Sequence, residues 1–346
     1  MEIQLDSNGI VAVQLFSAQG RETWEPESEM EQVALAERQL ELSLPLTQIG
    51  NPDAGDRYRM SAVFSLVIAV AGKVEIVEFG QVPGAGPAEL TVPDLDTSTV
   101  VLAVSDPEGD DHGPGHYTYP KDGVFSPGNF DILAFQVADS NEHIIFKFNL
   151  RGPVDNPWGS PNGLSLQTID IYIDKDGDGQ GGLALLPGRN LSLAEGEAWD
   201  YAITGEGWTP GIFVPGSDGP QQVATANKFD ILVEPDQLEV AIRVPKDILG
   251  EDPEAWRYAA VVLSQEGYPS GGVMRVRDVN PVAEQWRIGG APANSTNHTR
   301  AMDLVWTEPD QQEAWLKDFS PTNAPQTELT AEDFAKILLL GLDSIE

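Results

Sequence analysis

The chain has 346 residues, of which 41% are hydrophobic, and it carries a formal net charge of −35 at pH 7. This length predicts about two domains, and the negative charge excludes nucleic acids and anionic membranes as favourable partners. Cysteine is absent, which excludes disulfides and thiolate chemistry. Solubility or a saline habitat is the alternative explanation for the bulk of the charge.

The N-terminal residues contain neither a basic segment nor an apolar leader. The longest apolar run, residues 60–71, is shorter than the roughly 20 residues that a membrane helix needs. We therefore expect a soluble chain without membrane insertion.

The sequence contains a weak internal repeat. Gln-Leu-Glu-Leu-Ser-Leu-Pro-Leu-Thr-Gln-Ile-Gly at 39–50 resembles Gln-Leu-Glu-Val-Ala-Ile-Arg-Val-Pro-Lys-Asp-Ile-Leu-Gly at 237–250. With this alignment, residues 1–95 correspond to the C-terminal half of the domain that begins at residue 104. We predict that they form a partial or small β-sandwich domain, and that the chain is the C-terminal piece of a longer protein. Chance similarity between two amphipathic strands is the alternative.

Strand signals dominate residues 104–310. Apolar side chains alternate with polar ones at 143–150, 165–174, 238–244 and 256–262, which is typical of β-strands. The 34 glycines and 26 prolines supply many turns between these runs. The pattern predicts an all-β protein, with an antiparallel β-sandwich preceded by a second, smaller β-domain.

Residues 311–346 change character and are predicted to be a linker and a short C-terminal helix, with a further short helix at 313–319. Thr330 and Asp333 match a capping box that begins a helix. Phe334, Ile337, Leu338 and Leu340 follow at helical spacing. We expect this helix to pack on the sandwich; binding a protein partner is the alternative.

Two acidic, glycine-rich loops are candidate sites for Ca²⁺, which binds six to eight oxygen ligands on sharply turning loops. The candidate ligands are Asp106, Asp110 and Asp111 in the first loop, and Asp174, Asp176 and Asp178 in the second. The second loop begins like an EF-hand, but Leu185 stands where the bidentate Glu belongs. An acidic β-turn is the alternative for the second loop.

Exposed aromatic rings are candidates for stacking on the apolar faces of sugars. These are Tyr117, Tyr119, Trp158, Trp199 and Trp208, and burial in the core is the alternative for each. No catalytic motif is present, so we predict no catalytic residue and no enzyme activity.

Four ordered motifs resemble a known family. They are Asp-Pro-Glu-Gly-Asp-Asp-His-Gly-Pro-Gly-His-Tyr-Thr-Tyr-Pro (106–120), Val-Phe-Ser-Pro-Gly-Asn-Phe-Asp (124–131), Asn-Pro-Trp-Gly-Ser-Pro-Asn-Gly-Leu-Ser-Leu-Gln (156–167) and Ile-Tyr-Ile-Asp (171–174). Together, over about residues 104–310, they resemble the C-terminal module of glucodextranases, which also occurs in amylopullulanases. That module is DOMON-like and related in fold to family-9 carbohydrate-binding modules.

The resemblance implies a non-catalytic β-sandwich from an exported parent, hence an extracellular or cell-surface location, with calcium at Asp106, Asp110 and Asp111. The leading hypothesis is a carbohydrate-binding or cell-surface-associated module of an α-glucan-acting glycoside hydrolase, whose partner is a polysaccharide or cell-surface glycan. The alternative is a surface-layer or adhesion protein that binds no sugar. Haem binding, known in the wider fold group, would need His112, His116, His143 or Met274 as axial ligands.

Overall fold

In the computed structural model the chain divides into two compact units, Met1–Thr97 and Ser98–Glu346. The structure describes residues 98–177, 179–223, 230–267 and 275–342, together with the backbone of the strands between residues 2 and 91.

The first unit consists of short antiparallel strands. They are β1 (Glu2–Asp6), β2 (Gly9–Ala18), β3 (Trp24–Glu29), β4 (Val33–Ala36), β5 (Gln39–Leu42), β6 (Arg57–Met60), β7 (Ala62–Val70), β8 (Lys73–Val82) and β9 (Ala88–Thr91). Strands β1, β2 and β3 form one sheet, and β4–β5, β6–β9 and β7–β8 form pairs. Residues 43–50 of the predicted repeat lie outside the described residues, so the relation of this unit to the following domain stays a prediction.

The second unit is built mainly of strands. They are β10 (Thr99–Ser105), β11 (Ile132–Asp139), β12 (His143–Leu150), β13 (Gln167–Asp174), β14 (Leu191–Leu193), β15 (Tyr201–Gly205), β16 (Gly211–Gly216), β17 (Gly219–Gln222), β18 (Asp230–Glu234), β19 (Glu239–Pro245), β20 (Arg257–Ser264), β21 (Val279–Asn280), β22 (Ile288–Gly289), β23 (Ala301–Leu304) and β24 (Ala335–Ile337). Two short helices, α1 (Lys246–Leu249) and α2 (Pro309–Leu316), interrupt them. Neither helix in the described part of the chain approaches the length and apolar character of a membrane span.

Two antiparallel sheets form the sandwich. One has the order β10-β11-β12-β19-β18, and the other has the order β17-β16-β15-β13-β20-β23. The main core takes Phe146 and Phe148 from the first sheet and Ile169, Ile171 and Val262 from the second. The alternation predicted for these strands therefore places the expected side chains between the sheets, and the all-β prediction is confirmed.

The central strands of the six-stranded sheet are buried on both faces, and all eight residues of β13 are buried. Its outer face carries a second core, in which Tyr172, Val261 and Leu263 pack with Leu193 and Ile337. Although both faces of β13 are covered, its sequence still alternates apolar with polar residues, and its buried Asp170 is paired with the buried Arg189, whose Nε donates to it at 2.6 Å.

The prediction of a helix after Thr330 is wrong. Thr330 and Asp333 form the expected capping box, but it closes only a single 3₁₀ turn, residues 331–333. The chain then continues as β24, parallel to β14. Burial alternates along β24, with Ala335 and Ile337 inside, because backbone pairing and contact with the sheet outweigh the weak helical spacing. The helix in this region is α2, which begins before the expected 313–319.

Candidate functional site

The loop that follows β10 covers a cluster of carboxylates. One oxygen from each of Asp106, Asp110 and Asp303 lies within 4.8 Å of the other two, and we call these three residues the acidic site. Asp106 follows a strand of the five-stranded sheet, whereas Asp303 lies on β23 of the six-stranded sheet. The Asp303 carboxylate accepts hydrogen bonds from the backbone N–H groups of Ile132 (2.7 Å) and Leu304 (2.8 Å). The acidic site thus bridges the two sheets.

Two further buried carboxylates, Asp111 and Asp131, adjoin the acidic site. Asp131 forms an ion pair with Arg151, whose Nε lies 2.5 Å from it, and Asp111 accepts a hydrogen bond from the Tyr119 hydroxyl. Arg151 Nη2 lies 3.9 Å from Asp111. Within the described residues, no Lys or Arg side chain forms an ion pair with the three aspartates of the acidic site. One guanidinium therefore faces a group of five carboxylates.

Several of these oxygens are buried and have no hydrogen-bond partner within the described part of the chain. They are Asp106 Oδ2, both oxygens of Asp110, Asp111 Oδ1 and Asp131 Oδ1. Burial raises the pKa of Asp106 to about 9 and the pKa values of Asp110 and Asp131 to about 6. Burial also raises the pKa of Asp303 well above its usual range.

Buried carboxylates without partners are costly to ionise, and a bound cation removes that cost. Hard oxygen ligands on a glycine-containing loop are what Ca²⁺ prefers. The residues of the acidic site therefore fit a divalent cation.

A second acidic cluster, formed by Asp174, Asp176 and Asp200, lies where β13 ends and β15 begins. Asp174 is buried, but Arg257 Nη2 donates to it at 2.5 Å and the Gly177 N–H donates at 2.9 Å. Asp176 is exposed, and Asp200 accepts a bond from the Lys175 N–H at 2.9 Å. The deepest carboxylate of this cluster already has a cationic partner.

Of the predicted ligands, the structure groups Asp106 with Asp110, and Asp174 with Asp176. Asp111 lies beside the first pair and is bonded to Tyr119. Asp178 lies outside the described residues, as does Met274 of the haem hypothesis.

A groove of about 370 Å³ opens at the end of the six-stranded sheet where β15 and β20 finish. We call it the tryptophan groove; it is lined by Trp158, Trp208, Gln265, Glu266, Gly267, Arg277 and Trp286. Trp158 and Trp286 are 41% and 38% exposed, the highest values among the large aromatic side chains that the structure describes. Their ring centroids lie 6.1 Å apart, and Phe125 packs beneath both.

Polar contacts hold the walls of this groove. Arg277 Nη1 donates to the carbonyl of Trp286 at 2.5 Å, and its Nη2 donates to the carbonyl of Gln265 at 2.8 Å. Glu266 contacts both Arg277 (3.3 Å) and Arg287. Burial lowers the pKa of Arg277 to about 10, within the range where it stays cationic at neutral pH.

Of the five predicted aromatic residues, two line the tryptophan groove and three do not. Trp158 and Trp208 line the tryptophan groove. Tyr117 and Trp199 are 1% and 0% exposed and lie in the two cores, so their faces are covered by protein. Tyr119 is half-buried between Asp111 and Phe130.

A family model described as the C-terminal binding module, SLH-like, of glucodextranase matches residues 101–330. The chain belongs to this family. The family is a binding module rather than a catalytic domain, and its match spans both sheets of the sandwich together with the acidic site and the tryptophan groove. No curated protein matches the chain significantly.

The site residues of this glucodextranase-type module that sequence reasoning missed include Asp131, Asp303 and Trp286, as well as Asp200 and Gln265. Asp303 had a usable signal, since it is a lone acid within the apolar run Ala-Met-Asp-Leu-Val (301–305). A charge inside a buried strand needs a partner, and so marks a site. Trp286 gave no such signal, because it lies in a polar stretch of sequence and meets Trp158 only in the fold.

Proposed function

We propose that the chain is a non-catalytic, calcium-stabilised carbohydrate-binding or cell-surface-associated module of an exported α-glucan-acting glycoside hydrolase. The observation that carries this proposal is the exposure of Trp158 and Trp286 side by side in one groove of a binding-module fold. Rings with a free apolar face and polar groups at the margin suit a sugar, which has apolar C–H faces and hydroxyl edges.

Calcium has a structural part in the proposal. Asp106, Asp110 and Asp303 would hold the ion, which would supply the positive charge that the buried oxygens lack. Because Asp106 and Asp303 belong to different sheets, the ion would tie the 106–115 loop to both. Such a link replaces the disulfides that a chain without cysteine cannot form.

The location follows from the same reasoning. A module that binds polysaccharide or a cell-surface glycan works where those polymers are, so we propose an extracellular or cell-surface setting. The family description of the module as SLH-like supports the cell surface in particular.

Calorimetric titration of the full chain with malto- and isomalto-oligosaccharides, in calcium and in chelator, tests the proposal. We expect saturable binding in calcium and weaker binding in chelator. Failure to bind any α-glucan in calcium would favour a surface-layer or adhesion role without sugar binding, which the SLH-like description also suits.

A further inference from the structure

The shape of the tryptophan groove, taken together with the proposed function on which this step rests, identifies a class of glycan. We infer that the groove binds a single, bent, neutral α-linked glucan chain, whose successive sugars stack on Trp158 and Trp286, with Gln265 as a hydrogen-bond donor.

The two exposed rings are not coplanar. Trp158 and Trp286 are inclined at 59° to one another, with Phe125 packed edge-on against each at 65° and 68°. A flat β-1,4-linked ribbon stacks best on rings that lie in one plane. An α-linked chain turns from one sugar to the next, so its successive faces match two inclined rings.

Both rings are fixed before any ligand arrives. The carbonyl of Trp286 accepts hydrogen bonds from Arg277 (2.5 Å) and from Arg287 (2.9 Å). The loop carrying Trp158 is closed by Asn156, whose side chain bonds the N–H (2.8 Å) and the carbonyl (2.9 Å) of Ser160. A preorganised aromatic surface loses little conformational entropy on binding.

Gln265 supplies a polar contact that the protein itself does not use. Its side chain is 1% exposed and lines the groove, and its Nε2 has no hydrogen-bond partner among the described residues. A buried donor without a partner is unfavourable, and a sugar hydroxyl in the groove would satisfy it.

The two charged residues that line the groove, Glu266 and Arg277, favour a neutral sugar over an acidic one. Arg277 uses all three of its nitrogens on Ser264, Gln265, Glu266 and Trp286. Glu266 also pairs with Arg287. The guanidinium of Arg277 therefore has no free edge for the bidentate contact by which arginine recognises a carboxylate or phosphate.

Calorimetry of the full chain and of four variants tests the inference. The ligands are maltohexaose, isomaltohexaose, cellohexaose and an oligogalacturonate, and sedimentation with microcrystalline cellulose tests the flat surface. We expect the chain to bind an α-glucan at least tenfold more tightly than cellohexaose or the uronate, with no retention on cellulose.

Trp158→Ala and Trp286→Ala should each weaken α-glucan binding at least tenfold. Gln265→Leu should weaken it roughly fivefold without lowering Tm, because the donor it removes has no partner in the free protein. The matched control is Trp315→Ala, which removes a half-buried tryptophan that pairs with Trp306 away from the groove; it should leave the affinity unchanged.

The chain as it stands provides a check that needs no variant. Saturating α-glucan should protect part of the tryptophan fluorescence from acrylamide, because Trp158 and Trp286 are the most exposed tryptophan rings among the residues that the structure describes. Wild-type affinity in both tryptophan variants, unchanged quenching, or preference for cellulose or the uronate would overturn the inference while leaving glycan binding in place. Absence of any α-glucan binding by the unmodified chain would instead overturn the proposed function, and the inference with it.

Discussion

The acidic site and the second acidic cluster each bring three aspartates together, but their surroundings differ. Asp106 and Asp303 are buried, and in the acidic site both Asp110 oxygens lack a partner among the described residues. In the second cluster Asp174 is bonded to Arg257, and Asp176 faces solvent. The second loop has the more familiar calcium spacing, yet the first has the stronger need for a cation. Burial and the lack of a basic partner therefore indicate a metal site better than the spacing of aspartates does.

The largest expected effect is the stabilisation of the acidic site by calcium. A ligand at 100 times its Kd adds about 2.7 kcal/mol to the free energy of unfolding, which for a unit of this size raises Tm by roughly 5–10 °C. Asp110→Asn should abolish most of this rise. The substitution keeps the shape of the side chain and breaks no hydrogen bond, since neither carboxylate oxygen has a partner among the described residues. Scanning calorimetry in calcium and in chelator measures both effects, and an undiminished rise in the variant would contradict the assignment.

Removing the basic partner should make the second acidic cluster resemble the acidic site. Arg257→Met leaves Asp174, which is 1% exposed, without its cation, and we expect a loss of about 1–3 kcal/mol in calcium-free buffer. Calcium should restore part of that loss. Arg257→Lys, which keeps the charge, is the control. A variant whose Tm responds to calcium no more than the wild type does would show that the cation is not what distinguishes the two clusters.

The pH dependence of stability should differ with and without calcium. Burial raises the pKa of Asp106 to about 9 and that of Asp110 to about 6, from an ordinary value of 3.8. At a pH above 3.8 but below its raised pKa, each of these two aspartates stays protonated in the calcium-free folded state, whereas it has lost its proton in the unfolded state. The stability of the calcium-free folded state therefore falls as pH rises from about 4 towards 9.

Calcium replaces those protons, so its stabilising effect should grow with pH. Tm measured in chelator and in calcium at pH 5, 6, 7 and 8 tests this, with Asp110→Asn as the control. If Tm changed with pH in the same way in chelator and in calcium, the expected competition between calcium and protons would be refuted.

The smallest effect is expected at Asp176. It is exposed, and exposed charges contribute only about 0–1 kcal/mol, so Asp176→Asn should change Tm by no more than about 4 °C. It should also leave the calcium response unchanged, in contrast to Asp110→Asn. A large loss of the calcium response in this variant would place the functional ion in the second acidic cluster and reverse the comparison.

The sandwich was largely predictable because period-two alternation is a local property of the sequence. The apolar faces of β12, β13, β19 and β20 lie in the core as expected. The segment after Thr330 was not predictable, because four apolar residues suit either a helix or a strand until a partner strand is known. Here β14, more than 100 residues earlier, decides the outcome.

The sites were predictable only in part, for the same reason. Asp106 and Asp110 lie close together in the sequence, so their proximity in the structure could be predicted. Asp303 is distant in the sequence, and the pairing of β23 with β20 brings it next to them. Trp158 was a candidate because it lies in a turn-rich loop, but nothing local links it to Trp286. Sequence indicates which side chains carry chemistry; the sheet order decides which of them meet.

The parallel pairing of β24 with β14 has a practical consequence for making the protein. The matched family region ends at residue 330, and β24 begins five residues later. A recombinant chain trimmed to the family boundary would uncover Tyr172, Val261 and Leu263 on the outer face of the six-stranded sheet. Such a product would tend to aggregate during expression, so domain designs should retain the residues through Leu340.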